Sequence, residues 1–221
     1  MTKSYVVPFV LYLLGTSLIA RWGDAWYPLL YGLLVVGMLC VQAWLLKGTG
    51  ILQPHRRMLP GIVVGLVGIA LWIGLASLHL EQALAEFLPA WLRPETRVAY
   101  NPLQQLDGGA VWMFIAVRLV GIAIVVPLAE ELFWRGFLLR WLIDPEWEKV
   151  PLGEFTLSSC AIVTLMFTLA HPEWLAAASY GLLINALLYW RRDLWLCVVA
   201  HATSNLVLAI YVLITGEWWL W

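Results

Sequence analysis

Residues 108–142 read GGAVWMFIAVRLVGIAIVVPLAEELFWRGFLLRWL. As one straight helix this stretch is roughly 51 Å long, whereas the hydrocarbon of a bilayer is about 30 Å thick. It is apolar almost throughout, yet it holds Arg118, Glu130, Glu131, Arg135 and Arg140. Pro127 gives it a place to kink or break. If it breaks, the segment contributes two crossings; if not, one. Charged groups at membrane depth are costly and mark function by default.

The rest of the chain explains the setting. Charge-free apolar runs cover 4–20, 25–46, 58–80, 155–172, 174–190 and 194–216, each close to the roughly 17–25 residues that a spanning helix needs. Of the 221 residues, 62% are hydrophobic and 12% charged, against about 25% charged in soluble domains. A soluble enzyme, a disulfide scaffold and a disordered chain are excluded. The expected fold is all-α: a polytopic transmembrane helical bundle of about seven to eight spans, with 1–221 forming one integral membrane domain. Residues 81–92 read as a short interfacial helix, followed by an irregular loop to 107. Gly61, Gly65 and Gly68 suit close helix approach. The run after Lys3 lacks a small-x-small cleavage site and reads as a retained first span.

Net charge is −1, which gives no global basic field for nucleic acid. Basic residues instead divide between the loops. Lys3, Lys47, Arg56, Arg57, Arg135, Arg140, Lys149, Arg191 and Arg192 fall on one side, and Arg21, Arg93 and Arg97 on the other. That asymmetry predicts a cytoplasmic N-terminus. Cys40, Cys160 and Cys197 stand singly and form no disulfide or zinc pattern.

Three polar clusters lie within spans. In Glu130-Glu131-Leu132-Phe133-Trp134-Arg135, Glu131 and Arg135 are four apart and share a helical face as an ion pair, while Glu130 points about 100° away. His171 follows Phe167-Thr168-Leu169-Ala170. His201 and Asn205 are four apart on another face. At about 1.5 Å per residue, Glu130 and His201 both lie roughly 15 Å deep. His171 lies roughly 17 Å deep if its span starts at Cys160, with Ser158 and Ser159 interfacial. Three helices thus bring a carboxylate, two imidazoles and an amide together near mid-bilayer. A carboxylate in an apolar setting can act as general base on water. An imidazole can share its proton, and a second imidazole with an amide can hold an oxyanion.

The ordered triple Glu-Glu-x-x-x-Arg, Phe-x-x-x-His and His-x-x-x-Asn, across about 120–210, resembles the CAAX protease and bacteriocin-processing (Abi, CPBP) family of intramembrane endopeptidases, in its bacterial branch. The resemblance implies a peptide hydrolase of a bacterial inner (cytoplasmic) membrane, cleaving near the C-terminus of a protein or peptide presented as an extended segment. It implies that Glu130 activates water, His171 partners it, and His201 and Asn205 stabilise the oxyanion. Glu131 and Arg135 support the site. The family includes members discussed as metal-dependent and as metal-independent; Glu130, His171 and His201 are also a possible divalent-metal set, zinc with water fourth.

Plainer readings apply to several residues. Glu131 with Arg135 is a structural pair, Phe167 is packing, and His55 and His79 are interfacial. Cys197 lies four before His201, which allows a thiolate–imidazole pair, but a small buried thiol is the more usual case. Arg118, roughly 18 Å along its helix from Glu130, is expected to pair with an acid in the 81–107 loop. The rival function is a non-catalytic scaffold or a proton-coupled transporter using the same buried groups. Transporters usually show matching halves with broken helices, and the intramembrane charges here cluster in the second half.

Overall fold

Apolar runs become helices in lipid because only a helix satisfies its backbone N–H and C=O groups within one segment. A computed structural model of the chain describes residues 1–22, 25–85, 87–90, 93 and 99–221, and among them regular structure is helical, without strands. The long helices are α1 (Thr2–Ile19), α2 (Tyr27–Leu46) and α3 (Leu59–Ala76). The short helices α4 (Leu80–Ala85) and α5 (Pro102–Gln105) follow. Next come α6 (Gly109–Trp141), α7 (Leu157–Leu169), α8 (Trp174–Arg191) and α9 (Leu194–Thr215).

The chain is a polytopic helical membrane protein. Helices α1, α2, α3, α6 and α9 are long and apolar enough to cross a bilayer. Helix α7 has 13 residues, and α8 carries Ser179, Tyr180, Asn185 and Tyr189 among its apolar residues. These two pack side by side within the bundle. The interfacial helix is shorter than expected: α4 stops at Ala85, and Phe87–Pro89 is already turn. The backbone before a proline disfavours the helical region. Residue 86 and most of 91–98 lie outside the described residues, so the rest of that expectation does too.

Helix α6 stays continuous past Pro127, so it is one crossing and not two. The proline is absorbed by a widened turn. Gly121–Val125 is π-helical, and the Val126 N–H bonds the Gly121 carbonyl five residues back. In that register the next donor belongs to Pro127, which has none. The orphaned Ile122 carbonyl instead accepts from Asn205 Nδ2 of α9 at 2.7 Å. Gln42 Nε2 of α2 donates to the Val125 carbonyl at 2.8 Å. A second π-helical stretch, Leu132–Leu138, follows Glu131 directly.

The glycines of α3 act as expected. A Cβ on Gly61 or Gly65 would lie 2.7 and 2.5 Å from the Leu196 and Ala200 carbonyl oxygens of α9, and one on Gly68 would strike the Tyr180 ring of α8. Helix α3 is therefore seated against the two helices that carry much of the polar interior. On the other flank Phe9 of α1 stacks on Phe133 at 4.1 Å, and Tyr5 covers Gly136.

Most of the basic residues counted on one side gather at one end. Ser4 donates to the Leu45 carbonyl (2.8 Å), His55 bonds Asp193 (2.7 Å), and Arg140 donates to the Val150 carbonyl (2.8 Å). Arg135 is the exception: it is fully buried, so it is not a loop charge. His55 is held by Asp193, whose other oxygen caps α9 at the Trp195 N–H.

Gly65→Ala should destabilise the protein by roughly 1–3 kcal/mol, because the α3–α9 backbones must separate. Gly74→Ala, with nothing within 4 Å of its new methyl, should be neutral or stabilising by up to about 1 kcal/mol. Thermal unfolding followed by circular dichroism separates the two.

Candidate active site

The site is assembled around a carboxylate that is not the one expected to act on water. Glu131 and Arg135 are both wholly buried, and Glu131 Oε1 accepts from Arg135 Nη1 at 3.1 Å. The same oxygen lies 2.8 Å from His201 Nδ1. Two further Arg135 donors go to α8, Nε to Asn185 Oδ1 (3.1 Å) and Nη2 to the Gly181 carbonyl (3.3 Å). Its flat face covers Phe167 of α7 at 4.9 Å. Asn185 Nδ2 in turn donates to Thr164 Oγ1 of α7 at 3.2 Å. One ion pair thereby fastens α6, α7, α8 and α9 at the same depth.

The four residues expected to carry chemistry all line one cavity of about 400 Å³: Glu130, His171, His201 and Asn205. Glu130 Oε2 is buried without a hydrogen-bond partner among the described residues. His171 stands two residues beyond the end of α7, with Nδ1 2.8 Å from the Phe167 carbonyl. A carbonyl only accepts, so Nδ1 carries the proton and the neutral ring presents an unprotonated Nε2. The depth count for His171 needs one correction. Helix α7 begins at Leu157, with Thr156 as its cap accepting from the Ser159 N–H, and Ser159 is buried rather than interfacial. His171 also packs edge-on against Trp72 of α3 at 5.5 Å.

His201 is fixed by Glu131. With the carboxylate accepting, Nδ1–H points to Glu131, and Nε2 is the nitrogen left for other partners. Asn205 uses one amide hydrogen on the Ile122 carbonyl, and its second is left for other acceptors. Behind them, Tyr180 Oη donates to Ser204 Oγ at 2.8 Å, and Ser204 is 2.9 Å from the Gly65 carbonyl. Both line the cavity.

Sequence reasoning paired Glu131 with Arg135 correctly but did not join Glu131 to His201. It also missed Asn185, Tyr180 and Thr164. A lone amide in an apolar span is a signal that was present for Asn185; nothing in local spacing marks the others. Cys197 is a buried thiol whose Sγ is 3.6 Å from the Asp193 carbonyl, so no pairing with His201 is involved. Of the acids in the loop expected to answer Arg118, Glu86 and Glu95 lie outside the described residues; its Nη1 donates to Tyr27 Oη at 3.1 Å. Glu130, His171 and His201 share the cavity, but no group of three His, Cys, Asp or Glu among the described residues is placed to hold a metal ion.

Comparison with known families gives a match to one family model. Residues 111–207 match the family model described as type II CAAX prenyl endopeptidase, Rce1-like. The match covers somewhat less than half of the chain. It runs from the first turn of α6 into α9 and contains all four cavity residues together with Glu131, Arg135 and Asn185. No curated protein and no solved structure matches the chain.

Arg135→Ala should lower the yield of folded protein and cost roughly 3–5 kcal/mol, because it strands a buried carboxylate. Asn185→Ala should cost less, about 1–3 kcal/mol, the penalty of one unsatisfied buried donor. Melting temperatures of the purified variants in detergent order the two.

Proposed function

We propose that the chain is an intramembrane endopeptidase in which Glu130 activates water for attack on a peptide carbonyl. The observation that carries this reading is the cavity itself. A carboxylate with an oxygen unpartnered among the described residues, two oriented imidazoles and a part-used amide line one cavity inside a helical bundle.

The steps follow from the orientation of each group. Water between Glu130 and the substrate carbonyl gives a proton to the carboxylate as its oxygen bonds to carbon. His171, with Nδ1–H tied to its own helix end, offers an unprotonated Nε2 that can take that proton and pass it to the departing amine. Asn205 donates its second amide hydrogen to the oxygen that becomes an anion. His201 donates from Nε2 only as the imidazolium, and Glu131 is the counter-charge for that form. As a neutral ring it accepts at Nε2. Its part therefore depends on Glu131, which is what makes the Glu131–Arg135 pair support rather than chemistry. No step here is routed through a metal.

Substrate enters as an extended C-terminal segment of a protein or peptide, and the basic end of the bundle faces the cytoplasm. That orientation is supported by Lys47, Arg56, Arg57, Lys149, Arg191 and Arg192 flanking the contacts at one end.

Glu130→Gln should leave a folded membrane protein and reduce cleavage at least a hundredfold, the usual contribution of a positioned general base. Mass spectrometry of peptide termini, comparing membranes with wild-type and Glu130→Gln protein, reads the result. New C-termini that need Glu130 would identify the substrate; identical termini at equal protein levels would favour a scaffold or transporter.

A further inference from the structure

At the basic end of the bundle, two pairs of arginines from distant parts of the chain meet at one corner. His55 Nδ1 accepts from the Arg57 N–H at 3.1 Å, so the ring proton is on Nε2, which donates to Asp193 Oδ2 at 2.7 Å. The Trp195 indole N–H donates to the His55 carbonyl at 3.3 Å. His55 and Asp193 are 138 positions apart in sequence, and their bond pins the turn with Arg56 and Arg57 to the α8–α9 corner with Arg191 and Arg192. All four arginines are exposed, and none forms an ion pair among the described residues. Asp193, the acid next to them, has both oxygens spent: Oδ2 on His55, and Oδ1 on the Trp195 and Leu196 N–H groups. Gly153 packs on the Arg192 stem, and Glu154 after it is exposed and likewise forms no ion pair among the described residues.

The level of the corner decides what it meets. Helix α9, long and apolar enough to cross a bilayer, starts at Leu194, so the arginines before it stand where hydrocarbon gives way to headgroups. Trp190 beside them is 68% exposed, with the Arg191 guanidinium 5.0 Å from its ring, and indoles favour that level. A lipid phosphodiester offers two free oxygens there, the geometry that guanidinium pairs with through parallel hydrogen bonds. In phosphatidylcholine that charge is cancelled by the lipid's own ammonium, whereas in an anionic lipid it is not. Basic clusters at this level attract anionic lipid. We propose that Arg56, Arg57, Arg191 and Arg192 form a binding site for the phosphate headgroup of an anionic phospholipid, built by the His55–Asp193 bond. Exposed Trp190 and the apolar start of α9 give the acyl chains a surface, which a soluble phosphate ester would not use. None of the four arginines lines the Glu130 cavity, and the inference does not depend on the protease reading.

The test titrates the full-length protein, in a neutral detergent, with phosphatidylglycerol or with phosphatidylcholine of the same acyl chains, and counts bound lipid by native mass spectrometry. Phosphatidylglycerol should bind wild-type protein at least tenfold more tightly, in line with several basic groups acting together. Arg56→Gln, Arg57→Gln and Arg191→Gln combined should remove that preference. His55→Phe keeps all four charges but frees the two pairs from each other, and should lose most of it. Lys149→Gln lies at the same end, where Lys149 is paired with Glu146, and should keep it. The wild-type comparison stands even if a variant fails to fold. Equal affinity for the two lipids overturns the proposal, as does a preference that survives in the arginine variant. Full binding by His55→Phe, or an equal loss in Lys149→Gln, would mean a diffuse field in place of a built site, and either overturns it. Displacement of phosphatidylglycerol by glycerol phosphate at comparable concentration would make the ligand a soluble phosphate ester, and overturns it too.

Discussion

Everything at the centre of this bundle depends on the carboxylate of Glu131. It is wholly buried, and one of its oxygens accepts from both Arg135 and His201. A carboxylate or a guanidinium alone at that depth would cost several kcal/mol to desolvate, and the pair is tolerable only with good geometry and further hydrogen bonds. Arg135 obtains those bonds from Asn185 and the Gly181 carbonyl. The result is that helices contributing Glu130, His171 and His201 are registered against one another by charge satisfaction, in a solvent where apolar packing alone distinguishes registers poorly. Glu130, next in sequence and excluded from that pairing, is left facing the cavity.

A second constraint comes from the backbone. Lipid forces every carbonyl to find a donor within the protein, and Pro127 removes one donor from α6. The widened turn before it shifts the deficit to Ile122, where Asn205 meets it. The same amide that answers the orphaned carbonyl is thereby held at the cavity wall. Gln42 from α2 performs a similar service at Val125. Widened helical turns are frequent at functional sites, and here the reason is visible: the irregularity recruits a side chain from another helix and fixes it.

Much of this was legible in the chain. Hydrophobic runs located the long helices because spanning length is set by bilayer thickness, and the four cavity residues stood out because polar groups at membrane depth are rare. The i,i+4 spacing of Glu131 and Arg135 gave their pairing. What the sequence did not reveal is contact between distant segments. The bond from Glu131 to His201 crosses seventy positions, and the role of Asn185 exists only once α8 lies against the widened stretch of α6. Continuity of α6 past Pro127 was equally hidden, since the compensating donor comes from α9. The start of α7 was misjudged because two serines looked interfacial, when Thr156 caps the helix ahead of them.

The intramembrane charges differ in how they are paired. Glu131 and Arg135 pair with each other and bond His201, Asn185 and the Gly181 carbonyl, although Glu131 Oε2 has no hydrogen bond among the described residues; removing either harms the fold. Glu130 and Arg118 have no such ion pair among the described residues, and each lines the same cavity from the same helix. Twelve positions apart on one helix, they are beyond hydrogen-bond reach and do not satisfy each other. A helix too long for the bilayer, continuous past its proline, is what carries both groups on one element.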